Sequence, residues 1–226
     1  MRKNILFFLL ILLSLYSSAQ VKVSILGDSY STFEGWIPEG NENWYGPNIG
    51  NDVTNVDQTW WKRLIDDNGL NLELNNSWSG ATICNTGYRG EDYSNRSFLT
   101  RSGNLGESPD LIFIFGGTND AWAKSPIGES DGTDMYTVRP AAKAMLKNVK
   151  ASYPEALTVV IINTELSGDV ESAIIDACEI EKVPYVKLSN IDKQRNHPSI
   201  HGMDQISHQV WKATAPLLYS HLKNSK

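Results

Sequence analysis

From Val21 onward, short apolar runs alternate with amphipathic stretches. Val21–Leu26 reads as a first strand. Leu70–Asn75 alternates apolar and polar side chains, the period-two mark of a half-buried strand. Asp110–Phe115 and Leu157–Asn163 are apolar runs of the kind buried on both faces of a sheet. Val183–Leu188 makes a fifth strand. Between these lie helical patterns. Gln58–Asp67 carries Trp60, Trp61, Leu64 and Ile65 and ends near Asn68-Gly69. Asp134–Tyr153 is helical with a break or kink expected at Pro140. Asp169–Glu181 places Asp169 where it favours a helix N-terminus. Gly202–Leu222 is the closing helix, expected to be interrupted before Pro216. Strands alternating with helices predict an α/β domain whose mainly parallel sheet is covered on both faces.

Two stretches do not fit this alternation. Thr32–Asp57 is long, aromatic and rich in Gly and Asn, and Thr82–Pro109 is polar with scattered aromatics. Loops of this length in a compact domain are usually functional or disordered. Trp36, Trp44 and Tyr45 favour an ordered, packed loop for the first. Arg89, Arg96 and Arg101 in the second read as solvated loop charges, with contact to an acidic or polyhydroxyl substrate as the alternative.

The amino-terminal end has a different character. Arg2 and Lys3, the apolar run Ile5–Leu15 and the small residues Ser17-Ser18-Ala19 follow the order of a secretory signal peptide. The run is shorter than the ~20 residues of a bilayer span. The expected organisation is a leader over residues 1–19 and a single domain over 20–226. That domain would be periplasmic or secreted, with no stable membrane insertion after cleavage. Removing Arg2 and Lys3 takes the net charge from −6 to −8. An acidic domain without a basic run argues against nucleic-acid partners. Cys84 and Cys178 are far apart and lack CxxC spacing, so they read as buried free thiols rather than a pair.

Gly27-Asp28-Ser29-Tyr30-Ser31 directly follows the first strand, which puts a hydroxyl at the carboxyl edge of the sheet, where α/β proteins do their ligand chemistry. Three later stretches give it weight: Asn76-Ser77-Trp78-Ser79-Gly80, Gly116-Gly117-Thr118-Asn119-Asp120 and His197-Pro198. An ester hydrolase needs a nucleophile, a base and donors for the oxyanion. Ser29 is the candidate nucleophile and His197 the candidate base. The Ser29 N–H, the Gly80 N–H and the Asn119 side-chain amide are candidate oxyanion donors. Asp192 is the only carboxylate shortly before His197 and the candidate acid partner. Trp78 and Trp122 flank the Gly80 and Asn119 stretches, as sugar-stacking walls or as loop packing. His197 and His201 have an H-x3-H spacing, with Asp204 and His208 nearby, which makes a zinc hydrolase the chemical rival. The Glu of H-E-x-x-H is missing and Pro198 delays the helix, so the reading is no metal and no organic cofactor.

Together these stretches resemble the SGNH/GDSL hydrolase family. The serine block matches Gly27–Ser31, the glycine block Ser79-Gly80, the asparagine block Gly116–Asp120, and the histidine block His197-Pro198-Ser199 with Gly202 following. The resemblance implies a flavodoxin-like three-layer α/β/α sandwich, with Ser29, Gly80, Asn119 and His197 in the four namesake roles. One position departs from it. The family usually places its acid three residues before the histidine, where this chain has Gln194. Either Asp192 still reaches His197 from two residues further back, or a backbone carbonyl or another residue takes that place. The expected activity is hydrolysis of an ester, with a small acyl (acetyl) group on a carbohydrate as the expected substrate. The alternatives are a lipid or thioester hydrolase of the same fold, or a non-catalytic glycan-binding module.

Overall fold

The computed structural model describes residues 20–166 and 168–224. The leader expected over 1–19 lies outside them. Five parallel strands form the central sheet: β1 (Lys22–Gly27), β2 (Asn71–Ser77), β3 (Leu111–Phe115), β4 (Leu157–Ile162) and β5 (Tyr185–Lys187). Their spatial order is β2-β1-β3-β4-β5. This is the flavodoxin-like order, and it reverses direction between β1 and β3. A two-stranded antiparallel hairpin, β6 (Lys193–Gln194) with β7 (His197–Pro198), follows the sheet.

Among the described residues the α-helices are α1 (Trp60–Asp67), α2 (Phe98–Arg101), α3 (Thr118–Ala123), α4 (Val138–Ser152), α5 (Gly168–Glu181) and α6 (Ile200–Asn224). The period-two alternation of the strands divides the core into two layers. Val23, Ile25, Phe113 and Phe115 pack with Trp60, Trp61 and Leu64 of α1 and Met203, Ile206 and Val210 of α6. Ile112, Ile114, Val160 and Ile162 face the other way, against Phe98 of α2, Met145 and Val149 of α4, and Ile174 of α5. The flavodoxin-like α/β/α sandwich expected from the sequence is therefore the fold.

Both helix prolines behave differently from the sequence reading. Residues 134–137 form a turn, closed by the Thr137 N–H on the Asp134 carbonyl at 3.1 Å, and α4 begins at Val138. Pro140 falls in its first turn, where the missing N–H would have had no partner, so it starts the helix instead of kinking it. Nor does α6 break before Pro216; it runs through as 25 residues. Pro216 and Lys212 are both exposed, so the carbonyl that loses its donor faces solvent and water can replace the bond. Cys84 and Cys178 are buried and free. The aromatic loop 32–57 is packed, with Tyr45 and Val53 fully buried in the core layer of α1 and α6.

Candidate active site

Gly27-Asp28-Ser29 leaves the sheet at the carboxyl end of β1, beside the point where the strand order reverses. The turn is held by its own side chains. Asp28 accepts the Tyr30 N–H at 3.0 Å and caps a 3-10 turn over Ser29–Ser31. A Cβ at Gly27 would stand 2.4 Å from the Ser77 hydroxyl, so nothing larger fits. Ser31 accepts the indole N–H of Trp60 on its hydroxyl (3.1 Å) and that of Trp61 on its carbonyl (2.9 Å). The two tryptophans that open α1 thus brace the turn as well as filling the core.

His197 arrives on the β6–β7 hairpin, where Gln194 pairs with His197 and Lys193 with Pro198. Its two turn residues, Arg195 (φ 50) and Asn196 (φ 63), both lie in the left-handed region. That is the geometry of a tight primed hairpin turn, adopted here without glycine at a cost of order 1 kcal/mol for each residue. Other elements clamp the turn. Tyr30 Oη donates to the Asn196 carbonyl at 2.6 Å and Tyr45 Oη to the Pro198 carbonyl at 2.8 Å.

The hairpin brings His197 Nε2 to 2.9 Å from Ser29 Oγ, and turns Nδ1 onto the Arg195 carbonyl at 3.1 Å. A carbonyl only accepts, so Nδ1 carries the proton and Nε2 is left to accept from the serine hydroxyl. The Asp192 carboxylate lies elsewhere. It accepts the Ser199 hydroxyl, and its backbone carbonyl accepts the Ser199 N–H at 3.1 Å. Gln194 is exposed.

Gly80 follows β2 with φ 79, a conformation that glycine adopts without strain. Asn119, in the first turn of α3, is tied to the same segment. Its Nδ2 donates to the Ala81 carbonyl at 2.9 Å, and its Oδ1 accepts the Tyr88 hydroxyl at 2.7 Å. One N–H of the amide is left over. Among the described residues, nothing accepts from the backbone N–H of Ser29 or of Gly80. The structure thus gathers Ser29, His197, Gly80 and Asn119 at one edge of the sheet. His201 is exposed on the first turn of α6.

The electrostatics follow from burial. Ser29 is 2 % exposed and His197 5 %. Burial pushes the imidazole down to about 4, against the Arg195 carbonyl, which favours the cation, and with the Lys193 ammonium, which opposes it. Behind the serine turn, Asp28 and Asp120 are both buried. Loss of solvent pushes them up to about 7 and about 6, and Asp28 is raised further by Asp120. Asp120 accepts the N–H groups of Ile83 (2.8 Å) and Cys84 (3.3 Å), fastening the 82–84 segment to α3.

Arg101 is the buried cation that interacts with Asp28. Its guanidinium donates to the carbonyls of Asn76 and Gly27 (3.2 Å), at the ends of β2 and β1, and to that of Arg96 (2.8 Å) just before α2. It is not the solvated loop charge its setting in the sequence suggests. A 4-residue helix, α2, carries it inward, and burial lowers it to about 9 while Asp28 pulls it back up.

The two candidate stacking tryptophans separate. Trp122 is 37 % exposed and stands edge-on to His197 with ring centroids 5.8 Å apart. Trp78 packs against the α4 and α5 core layer, and the Arg96 guanidinium covers its ring at 5.4 Å.

The GDSL-like Lipase/Acylhydrolase family profile matches residues 21–214, from β1 into the closing helix. The chain belongs to this family. A crystal structure of a GDSL-like lipase from Bacteroides uniformis is 48 % identical, with a TM-score of 0.85 over 89 % of this chain and 99 % of that one. A second, from Bacteroides ovatus, is 45 % identical, with a TM-score of 0.84 over 88 % and 99 %. An acetyl xylan esterase from Butyrivibrio proteoclasticus shares the fold at 14 % identity, with a TM-score of 0.60 over 88 % of this chain and 64 % of that one. Among curated proteins, none matches the chain. Within this GDSL-like fold, three contributors have no signal in the family blocks. Tyr88 and the Arg195 carbonyl belong to a polar loop and to a hairpin without glycine. Trp44, which stacks on His197 with ring centroids 3.8 Å apart, belongs to the aromatic loop, whose composition was the only sign.

Proposed function

We propose that the protein is a secreted serine esterase that removes a small acyl group, acetyl in the first instance, from a carbohydrate. The observation that carries this reading is the 2.9 Å contact between Ser29 Oγ and His197 Nε2, in a ring whose other nitrogen is held by a carbonyl. Ser29 Oγ attacks the ester carbonyl as its proton passes to Nε2. The Ser29 and Gly80 N–H groups and the spare Asn119 amide N–H receive the oxyanion. The imidazolium then gives its proton to the leaving alcohol as the C–O bond breaks, and water attacks the acyl-serine by the same route in reverse. No step draws on a metal or an organic cofactor.

The substrate class rests on separate support. The near-complete burial of Ser29 and His197 suits a small acyl group. Trp122, partly exposed beside His197, offers an aromatic ring to a sugar. Structural neighbours of the same fold include a family two carbohydrate esterase from Clostridium thermocellum, crystallised with cellohexaose. Export rests on the pattern of residues 1–19, and the described residues contain no helix long and apolar enough to cross a membrane.

The test is hydrolysis of p-nitrophenyl acetate and acetate release from acetylated xylan, wild type against Ser29→Ala, each with and without EDTA. Loss of at least ~1,000-fold in the variant, insensitive to EDTA, is expected for a serine nucleophile. Hydrolysis that persists in Ser29→Ala would end this reading.

A further inference from the structure

The Trp44 indole lies flat on the His197 imidazole, with ring centroids 3.8 Å apart and planes 11° from parallel. The three other rings around the histidine are tilted or edge-on: Tyr30 at 60°, Trp122 at 63° and Tyr45 at 77°. Trp44 is also built into the serine turn. Its backbone N–H donates to Thr32 Oγ1 at 2.9 Å, and that hydroxyl donates to the Ser29 carbonyl at 3.0 Å. Asn51 Nδ2 holds the Trp44 carbonyl at 3.1 Å. Nucleophile, base and indole are one connected unit, which simple loop packing does not require.

The chemistry needs something at this place. When Nε2 takes the serine proton, a cation appears in a buried site. In a Ser-His-Asp triad a carboxylate on Nδ1 stabilises it. Here Nδ1 has only a carbonyl dipole, and Asp192 is engaged with Ser199. The charged side chain that bears on the ring is Lys193, a like charge, which depresses the imidazolium. Its ammonium is paired with Glu165 at 3.0 Å and lies 5.3 Å above the Tyr30 ring. Within the serine turn, Asp28 is the neighbouring acid; its carboxyl group accepts from Tyr30 and makes no bond to the histidine. An aromatic face carries negative electrostatic potential and attracts a desolvated cation pressed against it. Only the part of that attraction that grows on protonation accelerates the reaction.

Building on the serine-esterase reading, we propose that Trp44 is a positioning residue whose indole face stabilises the imidazolium form of His197 during proton transfer. It does there part of what a triad carboxylate would do. The contact is a property of the tryptophan face, so it should scale with the electron density of the ring and not with its shape.

Site-specific incorporation of mono-, di-, tri- and tetrafluorotryptophan at position 44 drains that density with little change of volume. The expected result is a stepwise fall in kcat for p-nitrophenyl acetate, reaching about tenfold for the tetrafluoro ring, with KM unchanged. In a Ser29→Ala background, where turnover does not interfere, the NMR titration of His197 should move to lower pH in the same steps. A packing role would leave both series flat, and a flat series overturns the proposal. Trp44→Leu, with its fold checked by circular dichroism, should lose more kcat than Trp44→Phe, which keeps an aromatic face. Equal losses in the two count against the proposal. The two readings fail separately. Full activity in Ser29→Ala removes the esterase reading itself, whereas an inactive Ser29→Ala with a flat fluorination series removes only the role of Trp44.

Discussion

Replacing Asp192 by Asn distinguishes a dyad from a triad by several orders of magnitude. In a Ser-His-Asp triad the acid holds the imidazole tautomer and stabilises its cation, and an Asp→Asn change there costs ~10⁴ in kcat, about 5.4 kcal/mol. Here His197 Nδ1 meets the Arg195 carbonyl at 3.1 Å, a bond no side-chain substitution at 192 removes. What Asp192→Asn alters is the contact with the Ser199 hydroxyl, made by an exposed residue across the hairpin stem. A net hydrogen bond of that kind is worth ~0.5–1.5 kcal/mol in stability. The structure therefore predicts kcat/KM within about threefold of wild type, since the affected bond bears on stability and not on the base. The assay is p-nitrophenyl acetate hydrolysis beside Ser29→Ala, with melting temperatures to confirm the fold. A loss of about 100-fold or more in a variant that melts like wild type would show that the carboxylate reaches the histidine during turnover, and the dyad would be wrong.

Two further expectations concern the base and the oxyanion donors. Burial sets His197 at about 4, and the neutral ring is the base, so activity is lost as pH falls through that value. At pH 5.5 an ordinary imidazole is about nine-tenths protonated; kcat/KM should instead be nearly the same at pH 5.5 and pH 7, and an acid limb centred near 6.5 would refute the burial argument. Tyr88→Phe removes the hydroxyl that holds Asn119 Oδ1 at 2.7 Å. It should lower kcat by about 5- to 10-fold with little change in KM, well short of the ~100- to 1,000-fold expected for Asn119→Ala; an unchanged kcat would mean that the Ala81 carbonyl alone orients the amide.

The sheet was legible because its signal is periodic. The five strand segments and the glycines after the first and third needed no tertiary information, and the family blocks named which residues lie at the carboxyl edge. The contributors that escaped depend on contacts between distant segments. Arg101 sits in a polar loop, and nothing local says that α2 turns its guanidinium under the ends of β1 and β2. The hairpin that sets the Arg195 carbonyl against His197 Nδ1 is hidden because Arg195 and Asn196 take left-handed conformations without glycine to mark them. Pro140 and Pro216 misled for the opposite reason. Proline is a strong local signal, but its effect depends on where in the helix it falls and which side faces water. Gly202 was read as the first residue of the closing helix. It lies inside α6, where a Cβ would meet the Asp192 carbonyl at 2.0 Å, so it permits the close approach that seats the hairpin on the helix.

Burial of the pair has two consequences that pull against each other. Removing His197 from water makes an isolated imidazolium expensive, which is why the ring stays neutral to about 4. The reaction never makes an isolated imidazolium. Proton transfer and bond formation create it together with an oxyanion one residue's reach away, and two opposite charges attract more strongly in a poorly solvated site than in water. The cost therefore falls mainly on the resting enzyme, where it keeps the base unprotonated, and is offset in the transition state, where both charges exist. A negative carboxylate on Nδ1 would stabilise the cation in both situations and raise the resting pKa. A carbonyl fixes the tautomer with far less pull on the resting proton. On this argument the hairpin carbonyl is suited to a base that must stay neutral in acidic surroundings, and a designed acid within reach of Nδ1 would move the acid limb toward neutrality while gaining less in kcat than a triad comparison suggests.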